Sequence, residues 1–189
     1  FVGKIKFPEF LSEKLPKKNG DIIEISSDSE LYKKNKKNIE EESKKILYTK
    51  QDGIKVGNHD GAHFFTIGQR KRINVGGKEE PLFVISTDVK KNIVFVGMGQ
   101  NHPGLFQNSL RIKSSNTNWI REDLKLAENE EKEFLIRTRY RQKLRRGNLI
   151  CTKSNLFIKF KKPQKSITPG QFASWYLDGE LIGSGVIEN

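Results

Sequence analysis

From residue 81 onward, short apolar runs alternate with turn residues, and this spacing predicts strands. Leu82-Phe83-Val84-Ile85-Ser86 and Ile93-Val94-Phe95-Val96-Gly97 flank Asp88-Val89-Lys90-Lys91-Asn92, which reads as a hairpin. Further strand-like runs lie at 110–113, 133–141, 149–152, 156–160, 172–176 and 181–187. The last two flank Asp178-Gly179, a strong signal for a two-residue hairpin turn. Short strands at regular spacing, with no helical period between them, predict a small closed barrel or sandwich.

The first part of the chain is different. Pro8-Glu9-Phe10-Leu11-Ser12-Glu13-Lys14-Leu15 has proline near its start, Phe10, Leu11 and Leu15 on one side, and Pro16 after it. It predicts a short helix. Asp21-Ile22-Ile23-Glu24-Ile25 predicts a strand. Residues 26–52 are mostly Lys, Asn, Glu and Ser, with Leu31, Tyr32, Ile39, Ile46, Leu47 and Tyr48 as the apolar positions. This segment reads as a solvated insertion. A basic arm on RNA is the alternative, and the acidic run Glu40-Glu41-Glu42 argues against it by repelling phosphates. The expected fold is mainly β: a small α+β domain over 1–77 carrying the 26–52 insertion, then a six- or seven-stranded antiparallel β-barrel over 78–189.

Composition adds a partner class. The 189 residues carry a formal net charge of +12, a sequence pI near 9.7, and 31% charged residues. That balance suits an anionic partner, nucleic acid first and an anionic membrane surface second. It also suits a protein whose lysines only keep it in solution. No apolar run reaches the length of a membrane-spanning helix, and no charged-then-apolar leader opens the chain. The first residue is Phe1, so the sequence reads as trimmed or as one piece of a longer protein. A single cysteine, Cys151, fits a reducing cytoplasm, and with only His59, His63 and His102 it makes a poor zinc set. No metal site is expected.

Little in the sequence can perform catalysis alone. Cys151 lies between Ile150 and Thr152 inside a strand pattern and reads as a buried structural thiol. Gly76-Gly77 reads as a turn. Two runs point to anion binding instead. Gly68-Gln69-Arg70-Lys71 follows Asp60-Gly61-Ala62-His63 and places polar and cationic side chains after a glycine that could let backbone approach a ligand. Arg137-Thr138-Arg139-Tyr140-Arg141-Gln142, read as a strand, puts Arg137, Arg139 and Arg141 on one face. Such a stripe can track a phosphate backbone, with Tyr140 stacking or hydrogen-bonding. Edge protection is the bland explanation, and three arginines exceed what it requires. Thr168-Pro169-Gly170-Gln171 predicts a type II turn with Gln171 at its exit.

Together these residues resemble the tRNA-specific 2-thiouridylases of bacteria and organelles. The family's F-[IV]-G-x-x-x-F-x-x-F-L is matched by residues 1–11. Gly20-Asp21-Ile22 matches its Gly-Asp-Ile segment, and His59 to Lys71 match its H-D-G-x-H-[YF]-[YF]-T-I-G-Q-R-K run. His102-Pro103, Arg139-Tyr140-Arg141-Gln142, Thr168-Pro169-Gly170-Gln171 and the closing Ile187-Glu188 follow in order. The resemblance implies a sulfurtransferase that replaces the C2 oxygen of the wobble uridine in tRNAs for Lys, Glu and Gln. ATP, with Mg, adenylates that oxygen, and a cysteine persulfide, fed by a sulfur-relay donor protein, supplies sulfur. The resemblance assigns the nucleotide loop and first catalytic cysteine to an N-terminal domain, and the second cysteine to the position just before Phe1. It therefore places no catalytic residue and no cofactor in this chain. The chain looks like the family's central domain and its C-terminal barrel, which is like those of translation elongation factors. By position the tRNA contacts fall on Arg139, Tyr140 and Gln171. His63, Gln69, Arg70 and Lys71 are expected near the active site or tRNA. The family usually continues R-K-G-L-G-I-G-G, whereas this chain reads Arg70-Lys71-Arg72-Ile73-Asn74-Val75-Gly76-Gly77, losing two glycines. Residues 26–52 are also longer than the usual connection. The rival expectation is a non-enzymatic RNA-binding barrel that works alone; a membrane binder lacks the basic amphipathic helix it would need.

Overall fold

A computed structural model describes residues 16–33 and 35–188. The helix expected over 8–15 and the motif at residues 1–11 lie outside the described residues. The chain divides into two compact units, one of residues 1–33 and 47–105, the other of residues 34–46 and 106–189.

The first unit is built on a four-stranded sheet. Its strands are β1 (Gly20–Glu24), β2 (Ile54–His59), β3 (Leu82–Asp88) and β4 (Ile93–Met98), in the order β2-β1-β4-β3. β1 pairs antiparallel with β2 and parallel with β4. The run from Ile93 to Gly97 is buried throughout, as a near-continuous apolar run requires of an inner strand. Ile22, Val84, Val94 and Val96 form the core with Ala62, Ile73 and Leu82. The hairpin expected at 82–97 is present, but it joins the sheet of β1 rather than the barrel. The two units accordingly part at Leu105 and Phe106, not at 77 and 78. The reason is non-local: Asp21 to Glu24 supply the edge that Ile93 to Val96 complete.

The second unit contains helix α1 (Ile39–Ser43) and the strands β5 (Phe106–Lys113), β6 (Thr117–Trp119), β7 (Glu131–Arg137), β8 (Arg145–Cys151), β9 (Asn155–Lys165), β10 (Phe172–Leu177) and β11 (Glu180–Val186). They form one curled antiparallel sheet in the order β5-β9-β8-β7-β10-β11-β6. Its inner face buries Phe134, Ile136, Leu149, Ile158 and Trp175. The curl brings the end of β11 back to β5. The Glu188 N–H donates to the Arg111 carbonyl at 2.8 Å, and a Cβ on Gly185 would fall 2.6 Å from Ile112 Cγ2. The chain is thus mainly β, with a seven-stranded barrel-like sheet.

Both turns singled out in the sequence take the backbone their residues favour. Asp178 (φ 50°) and Gly179 (φ 84°) link β10 to β11 in left-handed conformations. The Gln171 N–H reaches the Thr168 carbonyl across Pro169-Gly170, with Gly170 at φ 79°. The insertion is more firmly held than a solvated loop. Tyr32 and Tyr48 share a 3.0 Å hydroxyl contact, and their rings pack on His102 and Phe95 respectively. In the other unit, α1 buries Ser43 and pairs Glu42 with Lys159.

The lost glycines leave a mark. Arg72 sits at φ 71° and Asn74 at φ 52°, the two positions where the family pattern carries glycine. Asparagine tolerates this region, but a long side chain is strained there by about 1 kcal/mol. Arg72→Gly is therefore expected to be more stable than Arg72→Ala by about 1 kcal/mol in chemical denaturation, the reverse of the usual order. An alanine variant at least as stable as the glycine variant contradicts this reading of the turn.

Candidate nucleic-acid interface

The site forms where β7 ends beside the start of β10. Ala173 and Trp175 are fully buried, so the two-residue period turns Phe172, Ser174 and Tyr176 outward. Arg137 is the register partner of Ser174. Its guanidinium lies over the Tyr176 ring, 5.7 Å from the centroid. Here the structure corrects the expected arginine stripe. The strand stops at Arg137, and Arg139, Tyr140 and Arg141 occupy a turn rather than one face of a strand. Gln142 causes the reversal. Its Oε1 accepts from both the Thr138 N–H and the Thr138 hydroxyl, and its own N–H donates to the Arg139 carbonyl. Its Nε2 also reaches Gln164 Oε1 at 3.2 Å, tying the turn to β9.

The reversal folds the run around a cleft of about 550 Å3 lined by Arg137, Thr138, Arg139, Tyr140, Gln171, Phe172, Ser174 and Tyr176. The adjacent pair Arg139-Tyr140 and the sequence-distant Gln171 thus meet in one place. Arg139 is aimed by a 2.7 Å hydrogen bond from Nη2 to the Ser166 carbonyl, which leaves its other donors available. Tyr140 is 88% exposed. Gln171 Oε1 and Arg137 Nε are buried without a hydrogen-bond partner among the described residues. Among the described residues no carboxylate lines the cleft. Arg146 and Lys161 share Glu133, which offsets part of their charge, whereas none of the cleft arginines has an acidic partner among the described residues. Phe172, Ser174 and Tyr176 were missed in the sequence. Their signal was the alternation around Trp175, but their neighbour β7 could not be read from it.

The signature run lies in the first unit and is more self-contained than expected. Gln69 Oε1 accepts from the Thr66 N–H, and its Nε2 donates to the Lys71 carbonyl at 2.7 Å. The Gly68 N–H bonds the Val84 carbonyl, and the Val84 N–H bonds the Gln69 carbonyl. The backbone after the glycine is therefore committed to β3 rather than open to a ligand. Arg70 and Lys71 remain exposed. Arg70 lines a shallow depression with Lys78, Glu79 and Glu80, a mixed charge that does not select anions.

His63 lies in a short 3-10 turn, Ala62–Phe64, with its ring 4.1 Å from that of Phe64 and its Nε2 buried and without a hydrogen-bond partner among the described residues. No hydrogen bond or ring contact among the described residues joins it to Gln69, Arg70 or Lys71. Its turn is set by two neighbours. His59 Nδ1 accepts from the Gly61 N–H, and Asn92 Oδ1 accepts from the Ala62 N–H. Burial pushes the His59 and His102 rings below the ordinary histidine range, so both are neutral at pH 7. Burial, with Glu128 and Glu130 nearby, raises the Cys151 thiol, the opposite of an activated nucleophile. Among the described residues no cluster of three or more His, Cys, Asp or Glu could hold a metal ion, and no helix is long and apolar enough to cross a membrane.

Comparison with known proteins accounts for both units. Residues 36–98 match the model of the tRNA methyl transferase PRC-barrel domain, and residues 109–187 match that of the aminomethyltransferase beta-barrel domain. The tRNA-specific 2-thiouridylase of Flavobacterium johnsoniae is 46% identical over 194 residues, covering 99% of this chain. The chain belongs to the tRNA-specific 2-thiouridylase family. The same enzyme of Karelsulcia muelleri is also 46% identical over 99% of the chain, and that of Halalkalibacterium halodurans is 34% identical over all of it. The chain spans about half the length of the curated relatives it matches: 49%, 48% and 43% of these three thiouridylases.

Proposed function

We propose that this chain binds and positions tRNA for 2-thiolation of the wobble uridine in a tRNA-uridine 2-sulfurtransferase. The observation that carries this reading is the cleft that gathers Arg139, Tyr140 and Gln171, with three arginines on or beside it and no carboxylate in its lining among the described residues. Arg139 and Arg141 serve the phosphate backbone, and Tyr140 and Gln171 offer a ring face and a carboxamide to a nucleotide. Arg70 and Lys71 add exposed charge, and His63 stands in the preceding turn at Ala62–Phe64. The chemistry falls to the half of the relatives that this chain does not span. ATP binding, uridine adenylation and persulfide delivery belong there in this proposal, and the chain alone is inactive. The tRNAs for Lys, Glu and Gln are the proposed substrates, a sulfur-relay protein the donor, and the cytoplasm the compartment. Supporting the division of labour, Cys151 is held as a protonated thiol.

The reading requires steep salt dependence. About five phosphate contacts, the number that Arg137, Arg139, Arg141, Lys143 and Arg145 could make, correspond to a log–log slope near −4. The affinity of the chain for tRNA is then expected to fall about a hundredfold or more between 50 and 200 mM salt, as read by filter binding. A flat salt response overturns the proposal.

A further inference from the structure

Phe172 is the feature that backbone binding leaves unexplained. It opens β10 on the outward face, 60% exposed, while its neighbour Ala173 is fully buried. A phosphate needs no aromatic surface, yet the cleft presents Phe172, Tyr140 and the edge occupied by Tyr176. A lone exposed apolar residue means little. Here two strongly exposed rings stand in one cleft that also holds arginine and, among the described residues, no carboxylate. A protein partner could cover such rings, but the uncompensated cations favour a polyanion with flat apolar faces, which is single-stranded RNA. Paired bases hide their faces in the stack, and loop bases can be splayed out onto aromatic side chains.

We propose that the cleft takes an unpaired RNA nucleotide, with Phe172 as the platform on which its base stacks, Tyr140 as a second ring contact, and Arg139 on the adjoining phosphate. This rests on the tRNA-binding reading above and adds to it a preference for loop over duplex. Tyr176 is less available, because Arg137 already covers its ring. Sequence discrimination through stacking is weak, since every base has such a face. The cleft therefore selects an unstacked nucleotide rather than a particular base.

The test uses the full chain and an RNA hairpin with 2-aminopurine in its loop, alongside the same strand annealed to its complement. Phe172 is outside the core, so Phe172→Leu keeps the fold and an apolar side chain while removing the ring. Phe172→Leu is expected to weaken hairpin binding about tenfold and to abolish the change in 2-aminopurine emission. Phe172→Trp is expected to preserve both. Duplex binding is expected to be weaker and to be the same for all three proteins. If Phe172→Leu binds the hairpin as the unaltered chain does, with the same emission change, the stacking proposal is overturned. In that event a loss in Arg139→Ala still upholds the tRNA-binding reading. If Arg139→Ala and Phe172→Leu are both without effect, both proposals fail.

Discussion

Arg139→Ala is expected to weaken tRNA binding by about tenfold to a hundredfold and to leave the fold intact. Hydrogen bonds to a charged group contribute about 1.5–3 kcal/mol, which sets this range. The fold should survive because Arg139 is exposed and its side chain makes one hydrogen bond among the described residues, to the Ser166 carbonyl. That carbonyl keeps the Thr168 hydroxyl as a second donor at 3.1 Å. The loss should be similar across tRNA sequences, because a phosphate contact carries no base information, and the salt slope should shrink by about one. Arg139→Lys should recover part of the loss through charge, but not the forked geometry. Equal affinity of Arg139→Ala and the unaltered chain, measured by filter binding at low salt, contradicts the assignment.

The second large effect falls on stability. Asn92 is buried at the tight turn between β3 and β4 with φ 55°. Its Nδ2 donates to the Lys18 and Asn19 carbonyls at 2.9 and 3.0 Å, and its Oδ1 accepts from the Ala62 N–H at 2.9 Å. One side chain thus ties the approach to β1, the hairpin turn and the turn bearing His63. The packing leaves no slack: a Cβ on Gly20 would fall 2.2 Å from the Asn92 carbonyl oxygen. Asn92→Ala removes all three bonds, strands buried backbone groups and places alanine at positive φ. About 2–4 kcal/mol of destabilisation of the first unit is expected, summing partly compensated losses of about 1 kcal/mol per bond with the backbone strain. Urea denaturation followed by hydrogen exchange in β1 and β4 measures it. An unchanged midpoint contradicts the role given to Asn92.

Features decided by local backbone demands were legible in the sequence. Asp178-Gly179 and Pro169-Gly170 specify their turns because positive φ at one or two positions excludes most residues. The strands of the second unit were legible for a related reason, since a two-residue apolar period has one buried face. What failed was non-local. The run at 82–97 reads as a hairpin whichever sheet it joins, and only its pairing with Asp21 to Glu24 decides that. The expected stripe at 137–141 assumed that a period continues until a glycine or proline breaks it. Gln142 broke it instead, by capping Thr138 from four residues away. Gln69 misled in the same way: a polar side chain in a conspicuous run was read as facing a ligand, and it folds its own turn. Arg139, Tyr140 and Gln171 came from the family resemblance, and the structure supplies what the sequence lacked, a single cleft that contains all three.

The central claim is that this cleft holds tRNA, and site-directed photo-crosslinking tests it most directly. A benzophenone side chain at Tyr140 projects from an exposed turn, and one at Ile120, which is 53% exposed and outside the cleft lining, serves as the control. The account predicts efficient crosslinking of tRNA from position 140, little from position 120, and loss of the first when Arg139→Ala is added. Equal crosslinking from both positions, unaffected by Arg139→Ala, would contradict it.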